Sequence, residues 1–208
     1  WLKAPGGKLE KLTDFPDNVA SAAFAPRHGK YLVYARDTGG NEATQVFHME
    51  LATRQSTLLS AADERSGFTL AHQSDTLLIA SVPLDKTAQG GTRAEVVTTL
   101  TLVNPLKPES KQRLASLPGG GWGSFSFSRD DSTIAAQQYR TPNDSDVYLI
   151  DATSGNRNKI LPLDGAAAAG FTGFEWSQDK QRLFLTTNQG GEFSELAVYD
   201  LREKSLTV

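Results

Sequence analysis

A short apolar run that ends in a large hydrophobic residue, followed by a polar turn and a second apolar run, occurs four times along the chain. The first runs end at Phe24, Leu70, Phe127 and Trp176, which we name the anchor residues, and each second run opens seven residues later. The intervening turns APRHGK, AHQSDT, SRDDST and SQDKQR are polar and turn-forming, which is typical of loops between antiparallel strands. The equal spacing indicates one hairpin repeated four times.

Each hairpin is followed by a third strand-like run and then by a fourth. The third runs, QVFHMEL, TTLTLVN, DVYLIDA and ELAVYDL, reach an acidic residue or Asn at Glu50, Asn104, Asp151 and Asp200. The fourth runs read STLLS, QRLAS, KILPL and SLTV. A period of about 40 to 50 residues made only of strands is the sequence mark of a β-propeller, in which each repeat forms one blade.

The predicted fold is therefore all-β, a β-propeller segment with about four blades of four antiparallel strands. We place the blades at about 18–61, 65–117, 121–163 and 170–208. The second blade is the longest because it carries an additional loop at about 83–95, and repeat proteins accept insertions in loops. The four anchor residues are expected in the cores of successive blades.

Both ends of the chain read like parts of further repeats. The run LEKLTDF resembles a fourth strand that leads into the next blade, so residues 1–14 are predicted as the last strand of a preceding blade. The chain also stops at SLTV, in or just after a fourth strand. We therefore expect the four blades to be part of a larger ring of roughly six to eight blades.

An incomplete ring leaves sheet faces uncovered. Blades bury their faces against neighbouring blades, and closure of the ring removes exposed edges. Large uncovered apolar faces usually mark association. The sequence therefore predicts self-association, with two half-rings forming an approximately eight-bladed assembly through an isologous interface.

Charge and composition exclude several classes of protein. The net charge is −3 and the basic residues are scattered, so the basic surface expected of a nucleic-acid-binding protein is missing. No apolar stretch approaches the roughly 18 residues that span a membrane, so no membrane partner is expected either. The chain has no Cys, which excludes disulfides and thiolate metal sites. Its abundance of small and polar residues favours a periplasmic or secreted location over the cytoplasm.

The sequence contains no recognisable catalytic or cofactor-binding motif. No Ser is flanked by the glycines of a G-x-S-x-G elbow, and His28, His48 and His72 are predicted as surface or packing residues. No His, Asp and Glu cluster at metal-ligand spacing. The run GGGWG at 119–123 precedes a strand and not a helix, so it is a connector and not a phosphate loop. We predict no catalytic residue, no metal site and no cofactor in this chain.

Two similar loops carry the candidate ligand contacts. GGNE ends at Glu42 and QGGE ends at Glu192, and each Glu precedes the acidic residue near the end of the following third strand by eight positions. Equivalent loops of a propeller lie on one rim, where the two carboxylates could contact a ligand or partner. The competing interpretation is a structural hairpin whose Glu is solvated or pairs with a neighbouring blade.

The stretch 24–60, FAPRHGKYLVYARDTGGNEATQVFHMELATRQSTLLS, resembles the propeller repeat of the prolyl oligopeptidase family of serine peptidases, particularly its bacterial acylaminoacyl-peptidase and dipeptidyl-peptidase-like members. That repeat has a Pro-x-x-Gly turn, an Asp-x-Gly-Gly-x-Glu loop and a third strand ending in Asp-Leu-x-Thr-Gly. Here Glu50 replaces the Asp and Arg54 the Gly. FSFSRDDSTIA and FEWSQDKQRLFL resemble turns that the family shares with TolB-like periplasmic propellers.

The resemblance implies a non-catalytic propeller that restricts the access of peptide substrates to a C-terminal α/β-hydrolase domain, which carries the catalytic Ser, Asp and His in that family. Residues 1–208 contain no part of such a domain, so no catalytic residue is carried over. The aromatic-Glu-Glu run with which dipeptidyl members hold the substrate amine is absent as well. The alternative is a TolB-like scaffold whose rim loops bind a partner protein, and a self-contained four-bladed enzyme or lectin is a third reading.

Overall fold

The computed structural model describes residues 6–7, 9–85, 87 and 95–208, and these contain sixteen strands and no α-helix. The strands form four antiparallel sheets. The first sheet contains β1 (Val19–Phe24), β2 (Tyr31–Arg36), β3 (Gln45–Glu50) and β4 (Ser56–Leu58). The second contains β5 (Glu64–Leu70), β6 (Leu77–Pro83), β7 (Val97–Asn104) and β8 (Lys107–Pro118). The third contains β9 (Trp122–Phe127), β10 (Thr133–Thr141), β11 (Asp144–Asp151) and β12 (Arg157–Leu161). The fourth contains β13 (Phe171–Trp176), β14 (Arg182–Thr187), β15 (Glu195–Asp200) and β16 (Ser205–Thr207).

All four sheets have the same topology. In each sheet the strands lie side by side in chain order, and every strand is antiparallel to the next. The four sheets are the blades of a β-propeller, which confirms the predicted fold class. In three hairpins the anchor residue pairs with the residue seven positions later: Leu70 with Leu77, Phe127 with Ile134, and Trp176 with Leu183.

The first hairpin is shifted by one residue, which leaves Phe24 exposed. Phe24 pairs with Leu32 and not with Tyr31, and 42% of Phe24 is exposed. Ala25 takes the buried position, and its N–H donates to the backbone oxygen of Tyr31 at 2.9 Å. Because side chains alternate between the faces of a strand, a shift of one residue changes which of them is buried. The prediction that every anchor residue lies in the core is therefore wrong for Phe24, whereas Leu70 packs against the core.

The hydrophobic core lies in the seams between successive blades. One cluster joins the first and second sheets around Val33 and Ile79, and another joins the second and third sheets around Leu100 and Ile134. A third cluster, which includes Leu185, joins the third and fourth sheets. Fully burying one such side chain contributes about 1.5–3 kcal/mol. The middle strands therefore read as apolar runs because both of their faces can be covered.

The N-terminal residues cover the outward face of the first sheet. We name residues 9–15 the N-terminal segment; Leu12 and Phe15 in it pack on the first sheet beside the buried Tyr34. The Phe15 ring stacks on Tyr34 with centroids 5.7 Å apart, and the Arg36 guanidinium lies 4.3 Å from the Phe15 centroid. Of the predicted strand at 1–14, residues 1–5 and 8 lie outside the described part of the chain. Its assignment to a preceding blade stays a prediction.

A single carboxylate ties the second blade to the third. Asp131 accepts hydrogen bonds from the N–H groups of His72 at 2.6 Å and Gln73 at 2.9 Å. The Ser74 hydroxyl donates to the same carboxylate at 3.0 Å. Asp131 has a φ of 62°, a left-handed conformation that Asp adopts more readily than most residues. The turns between first and second strands are therefore connectors between blades.

The other two seams have turn contacts of their own. His28 Nε2 lies 3.0 Å from Asp75 Oδ1 between the first and second blades. Lys180 Nζ donates to Asp130 Oδ2 at 2.6 Å between the third and fourth blades. The hydrogen bond from Lys180, supported by two serine hydroxyls, holds the pKa of Asp130 well below its usual range. Each seam therefore combines apolar burial with a polar contact at the turn.

Replacing Asp131 with Ala tests the second of these seams. The variant loses three hydrogen bonds to a charged group, and we expect the free energy of unfolding to fall by about 2–3 kcal/mol. Urea denaturation measures this loss. Asp131→Asn tolerates the left-handed backbone and keeps one acceptor oxygen, but its NH2 group cannot accept the hydrogen bonds that both carboxylate oxygens receive, so it should also be less stable than the wild type. Wild-type stability in either variant would contradict the role given to the carboxylate.

Candidate functional site

The loops that join second strands to third strands lie at one rim of the array. Glu42 is in such a loop of the first blade, at a φ of 56°, and its N–H donates to Asp37 Oδ2 at 3.0 Å. Glu192 is exposed in the corresponding loop of the fourth blade. The cavity that Glu42 lines is bounded by the first and second blades and does not include Glu192. A contact of both carboxylates with one ligand stays a prediction.

The cavity beside Glu42 has a volume of 440 Å³ and also contains Arg65 and Asp85. Arg65 is exposed at the start of the innermost strand β5. Within the described part of the chain, no hydrogen bond or ion pair engages its guanidinium. The rim therefore presents a cation and a carboxylate on either side of the first seam. Such a pair can bind a polar group of a ligand or partner.

Arg65 also lines a larger groove between the innermost strands β5 and β9. This groove has a volume of 750 Å³, and Trp122, Phe125 and the 45% exposed Tyr139 contribute aromatic surface. A Cβ added at Gly67 in its lining would meet nothing within 4 Å. The groove therefore has room for an extended chain or a flat ring. Its lining provides aromatic faces, hydroxyls and one guanidinium, which can bind a ligand but do not form an acid–base pair.

A salt-bridge network lies near the groove at the end of β10. The Arg140 guanidinium donates to Asp144 at 2.6 Å and to Asp146 at 2.9 Å, and Lys159 Nζ lies 3.2 Å from Asp146. These contacts lower the pKa of Asp146, and the hydrogen bond from Arg140 has the largest effect. Asp146 is nearly buried and both of its partners are half exposed. All of its charges are paired, so the network holds the rim in place and is not a reactive site.

A second polar cluster lies in the first seam, at the turn end of the blades. The Tyr31 hydroxyl donates to Asp75 Oδ1 at 3.3 Å, and His28 contacts the same oxygen. The pKa of Tyr31 is raised, mainly because the side chain is buried. The charge of Asp75 and its hydrogen bond with the Tyr31 hydroxyl raise the pKa further. The hydroxyl is therefore a poor nucleophile. In the described residues no serine hydroxyl bonds to His28, whose ring contacts Asp75 and the N–H of Lys30.

His48 lies beside this cluster and is 8% exposed. Its ring centroid is 5.1 Å from that of Tyr31. Within the described part of the chain, its Nε2 atom has no hydrogen-bond partner. Burial lowers the pKa of His48, and the charge of Glu50 opposes this effect. The sequence predicts that the histidines are surface or packing residues, and His48 is a packing residue. The contact of His28 with Asp75 in the neighbouring turn was not predicted.

Two findings concern ligands and membranes. In residues 6–7, 9–85, 87 and 95–208, no group of three or more His, Asp or Glu side chains is arranged to hold a metal ion. No helix in the same part of the chain is long and apolar enough to cross a membrane.

Solved structures that share the fold come from proteins of different function. A puromycin-hydrolyzing peptidase from Mycobacterium tuberculosis has a TM-score of 0.74 at 11% identity, over 97% of this chain and 34% of the peptidase. TolB from Acinetobacter baumannii has a TM-score of 0.65 at 12% identity, over 97% of this chain and 46% of TolB. Oligogalacturonate lyase from Vibrio parahaemolyticus has a TM-score of 0.68 at 11% identity, over 94% of this chain and 54% of the lyase. The chain thus spans about a third to a half of these proteins.

These similarities show the fold and not the family, because the sequence identities are only 11% and 12%. Prolyl endopeptidases and a putative dipeptidyl aminopeptidase IV from Bacteroides ovatus share the fold as well. Both kinds of propeller that the sequence resembles, TolB-like and peptidase-like, are therefore represented. No protein-family model matches the chain, and no curated protein does.

The buried His48 makes stability depend on pH. Its pKa is lower in the folded chain than the ordinary value of 6.5, so the unfolded chain takes up the proton first as the pH falls. The stability that neutral His48 provides is complete above that value and decreases as the pH falls toward the folded-state pKa. Urea denaturation at pH 8 and pH 5 should show this decrease, and His48→Gln should reduce it. His72→Gln is the matched control; a decrease unchanged in His48→Gln would refute the assignment.

Proposed function

We propose that this chain is the non-catalytic propeller domain of a serine peptidase of the prolyl oligopeptidase type. In this role it restricts the access of peptide substrates to an α/β-hydrolase domain that is not part of residues 1–208. The observation that carries the proposal is a peptidase-like blade motif at 24–60 within a four-blade array whose fold matches that of peptidases. The substrate would be a peptide, and the hydrolase domain would be the main partner.

The construction of the innermost strands supports a role as a barrier. Each innermost strand after the first accepts a hydrogen bond on a backbone carbonyl from a side chain of the preceding blade. The pairs are Gln45 with Glu64, Thr69 with Phe125, and Gln137 with Phe171, at 2.7, 3.3 and 2.6 Å. These bonds satisfy carbonyl groups and hold adjacent blades close together. Innermost strands that are joined in this way form a closely packed surface, which would favour the passage of small or flexible chains over folded proteins.

The chemistry of the rim is consistent with this role. The groove between β5 and β9 has aromatic faces, an arginine and open space next to Gly67, which suit contact with a polypeptide. The polar clusters of the described residues are ion pairs within the third blade and hydrogen bonds or ion pairs that cross the seams. Binding and guiding of substrate therefore belong to this chain, and bond cleavage belongs to the hydrolase domain.

Labelling with a fluorophosphonate probe tests the non-catalytic assignment. We expect the purified chain to remain unlabelled because, among the residues that the structure describes, no serine hydroxyl bonds to a histidine ring, while an active serine hydrolase in the same mixture is labelled. Mass spectrometry of the intact chain measures the adduct. Stoichiometric labelling of a serine in residues 1–208 would overturn the proposal.

The encoding gene provides an independent test of the partner. We expect the reading frame to continue past Val208 into a domain with a G-x-S-x-G elbow, whose serine the same probe labels in the full-length product. A frame that ends after further blades would contradict the peptidase proposal.

A TolB-like interaction scaffold is the second candidate. The exposed guanidinium of Arg65, which has no partner among the described residues and lines one cavity with Glu42, favours it, because exposed charges at a rim suit recognition of a partner protein. The fold match with TolB is also consistent with it. In this case the location would be periplasmic, and a reading frame of blades without a hydrolase domain is the expected result.

A further inference from the structure

Three of the four blades have the same turn between the third and fourth strands. Four residues after the acidic residue that ends the third strand, the backbone is left-handed, at Arg54, Gly155 and Lys204, with φ values of 59°, 72° and 52°. The N–H groups of Arg54 and Gly155 donate to the backbone oxygens of Glu50 and Asp151 at 2.8 and 2.9 Å. These residues therefore occupy one equivalent position, which we name the left-handed position of the turn, but with three different side chains.

In the third blade, the glycine lets the turn lie directly against the second blade. A Cβ added at Gly155 would lie 2.2 Å from the backbone oxygen of Leu114 in β8. Leu114 is the extra residue of a β-bulge, because the pairing of β7 with β8 skips it. Any residue other than glycine would have to lie further from β8 at this point. The second seam is therefore closed at its outer side by a residue without a side chain.

In the fourth blade, the equivalent residue is a lysine, and the third seam is open at the same place. The outermost strand of the third blade, β12, has a similar bulge, because the pairing of β11 with β12 skips Ile160. Lys204 has the Cβ that Gly155 lacks, so its turn cannot pack on this bulge in the same way. A cavity of 720 Å³ lies between the two, and we name it the outer groove. Both of its walls belong to adjacent blades of the array.

The outer groove combines apolar surface with separate charges. Its apolar lining consists of Leu149, Ile160, Leu163, Tyr199 and Leu201. Lys204 and Asp164 also line it and are exposed, and among the described residues neither forms an ion pair. A further lining residue, Lys159, is 3.2 Å from Asp146 and is therefore already paired. The groove thus offers a ligand one ammonium group, one carboxylate and an apolar surface.

The first blade shows what a cation at the left-handed position can bind. Arg54 forms an ion pair with Glu10 and donates a hydrogen bond to the Lys11 carbonyl at 3.3 Å. Leu12 and Phe15 of the same N-terminal segment pack on the apolar face of the first sheet. At this position a cation therefore holds a polypeptide segment in which a carboxylate is close to large apolar side chains.

We propose that the outer groove binds an acidic peptide segment whose carboxylate is flanked by apolar residues. The carboxylate pairs with Lys204, the apolar side chains lie on the apolar lining, and a backbone N–H or a basic side chain meets Asp164. A polypeptide carries all of these groups. A fatty acid has only a negative head group, which the charge of Asp164 repels. The site is separate from the groove between β5 and β9, so it does not depend on the proposed control of substrate access.

Isothermal titration calorimetry with the end-blocked peptide LEKLTDF, the sequence of residues 9–15, tests the site. We expect one binding site per chain, and Lys204→Gln should weaken binding by about tenfold or more, because a hydrogen bond between charged groups is lost. Lys204→Arg should bind like the wild type, since Arg54 has the same left-handed backbone. Lys111→Gln, at an exposed position of β8, is the matched control and should also bind normally.

Two results would overturn the proposal. One is the absence of binding to the wild type at millimolar peptide. The other is unchanged binding to Lys204→Gln, which is the result expected if the peptide only exchanges with the N-terminal segment on the first sheet. The peptide with Glu10→Gln and Asp14→Asn should bind more weakly than the original. Binding of decanoate without binding of the peptide would overturn the choice of a peptide in favour of a small amphiphile.

Lys204→Gly tests the origin of the groove. This variant has the glycine of the third blade, so the turn should move onto the bulge at Ile160 and peptide binding should be lost. Its midpoint of urea denaturation should be equal to or higher than that of the wild type, because glycine adopts a left-handed backbone without strain. Wild-type affinity for the peptide in folded Lys204→Gly would refute the role given to the lysine.

Discussion

Burial of sheet faces against neighbouring sheets is the interaction on which the structure depends. A four-stranded sheet of this size has no core of its own, because its side chains point to two opposite faces. Here the faces of the second and third sheets are covered by adjacent blades, and the apolar clusters of the chain lie in the seams. The turns and innermost strands add hydrogen bonds that cross each seam. The stability of the array therefore comes from the contacts between adjacent blades, and the four sheets do not fold as separate units.

The need to cover sheet faces also explains how much of the fold can be predicted from the sequence. Seam packing requires apolar middle strands at a regular spacing, and that spacing is visible in the sequence as four anchors and four turns. The pairing of Trp176 with Leu183 follows directly from it. Phe24 departs because the first hairpin is shifted by one residue, and composition alone does not distinguish neighbouring registers when Phe24 and Ala25 are both apolar.

The functional features were less accessible from the sequence because they depend on how blades are placed next to each other. Glu42 could be assigned to a rim loop from its spacing. Its proximity to Arg65 could not, since the two residues belong to different blades. The contact of His28 with Asp75 is similar: each residue reads as part of a turn, and only the angle between blades brings them together. The cover of the first sheet by Phe15 was missed because its segment reads like a strand.

The contacts that hold the structure together fit the proposed role. Contacts between blades cross each seam, as in the pair of His28 with Asp75, whereas Arg140, Asp144 and Asp146 pair within the third blade. This network stabilises the rim, and its charges are engaged with each other. Access control and partner binding use the same surface, so the choice between them depends on what the rim faces in the complete protein.

The central claim is that stability comes from covering sheet faces. Native-state hydrogen exchange of the backbone amides tests it most directly. The account predicts the slowest exchange in β6 and β10, whose sheets are covered on both faces, and faster exchange in β14 and β15, whose sheet has one bare face. Equal protection of all four sheets, or the slowest exchange in the fourth, would contradict it.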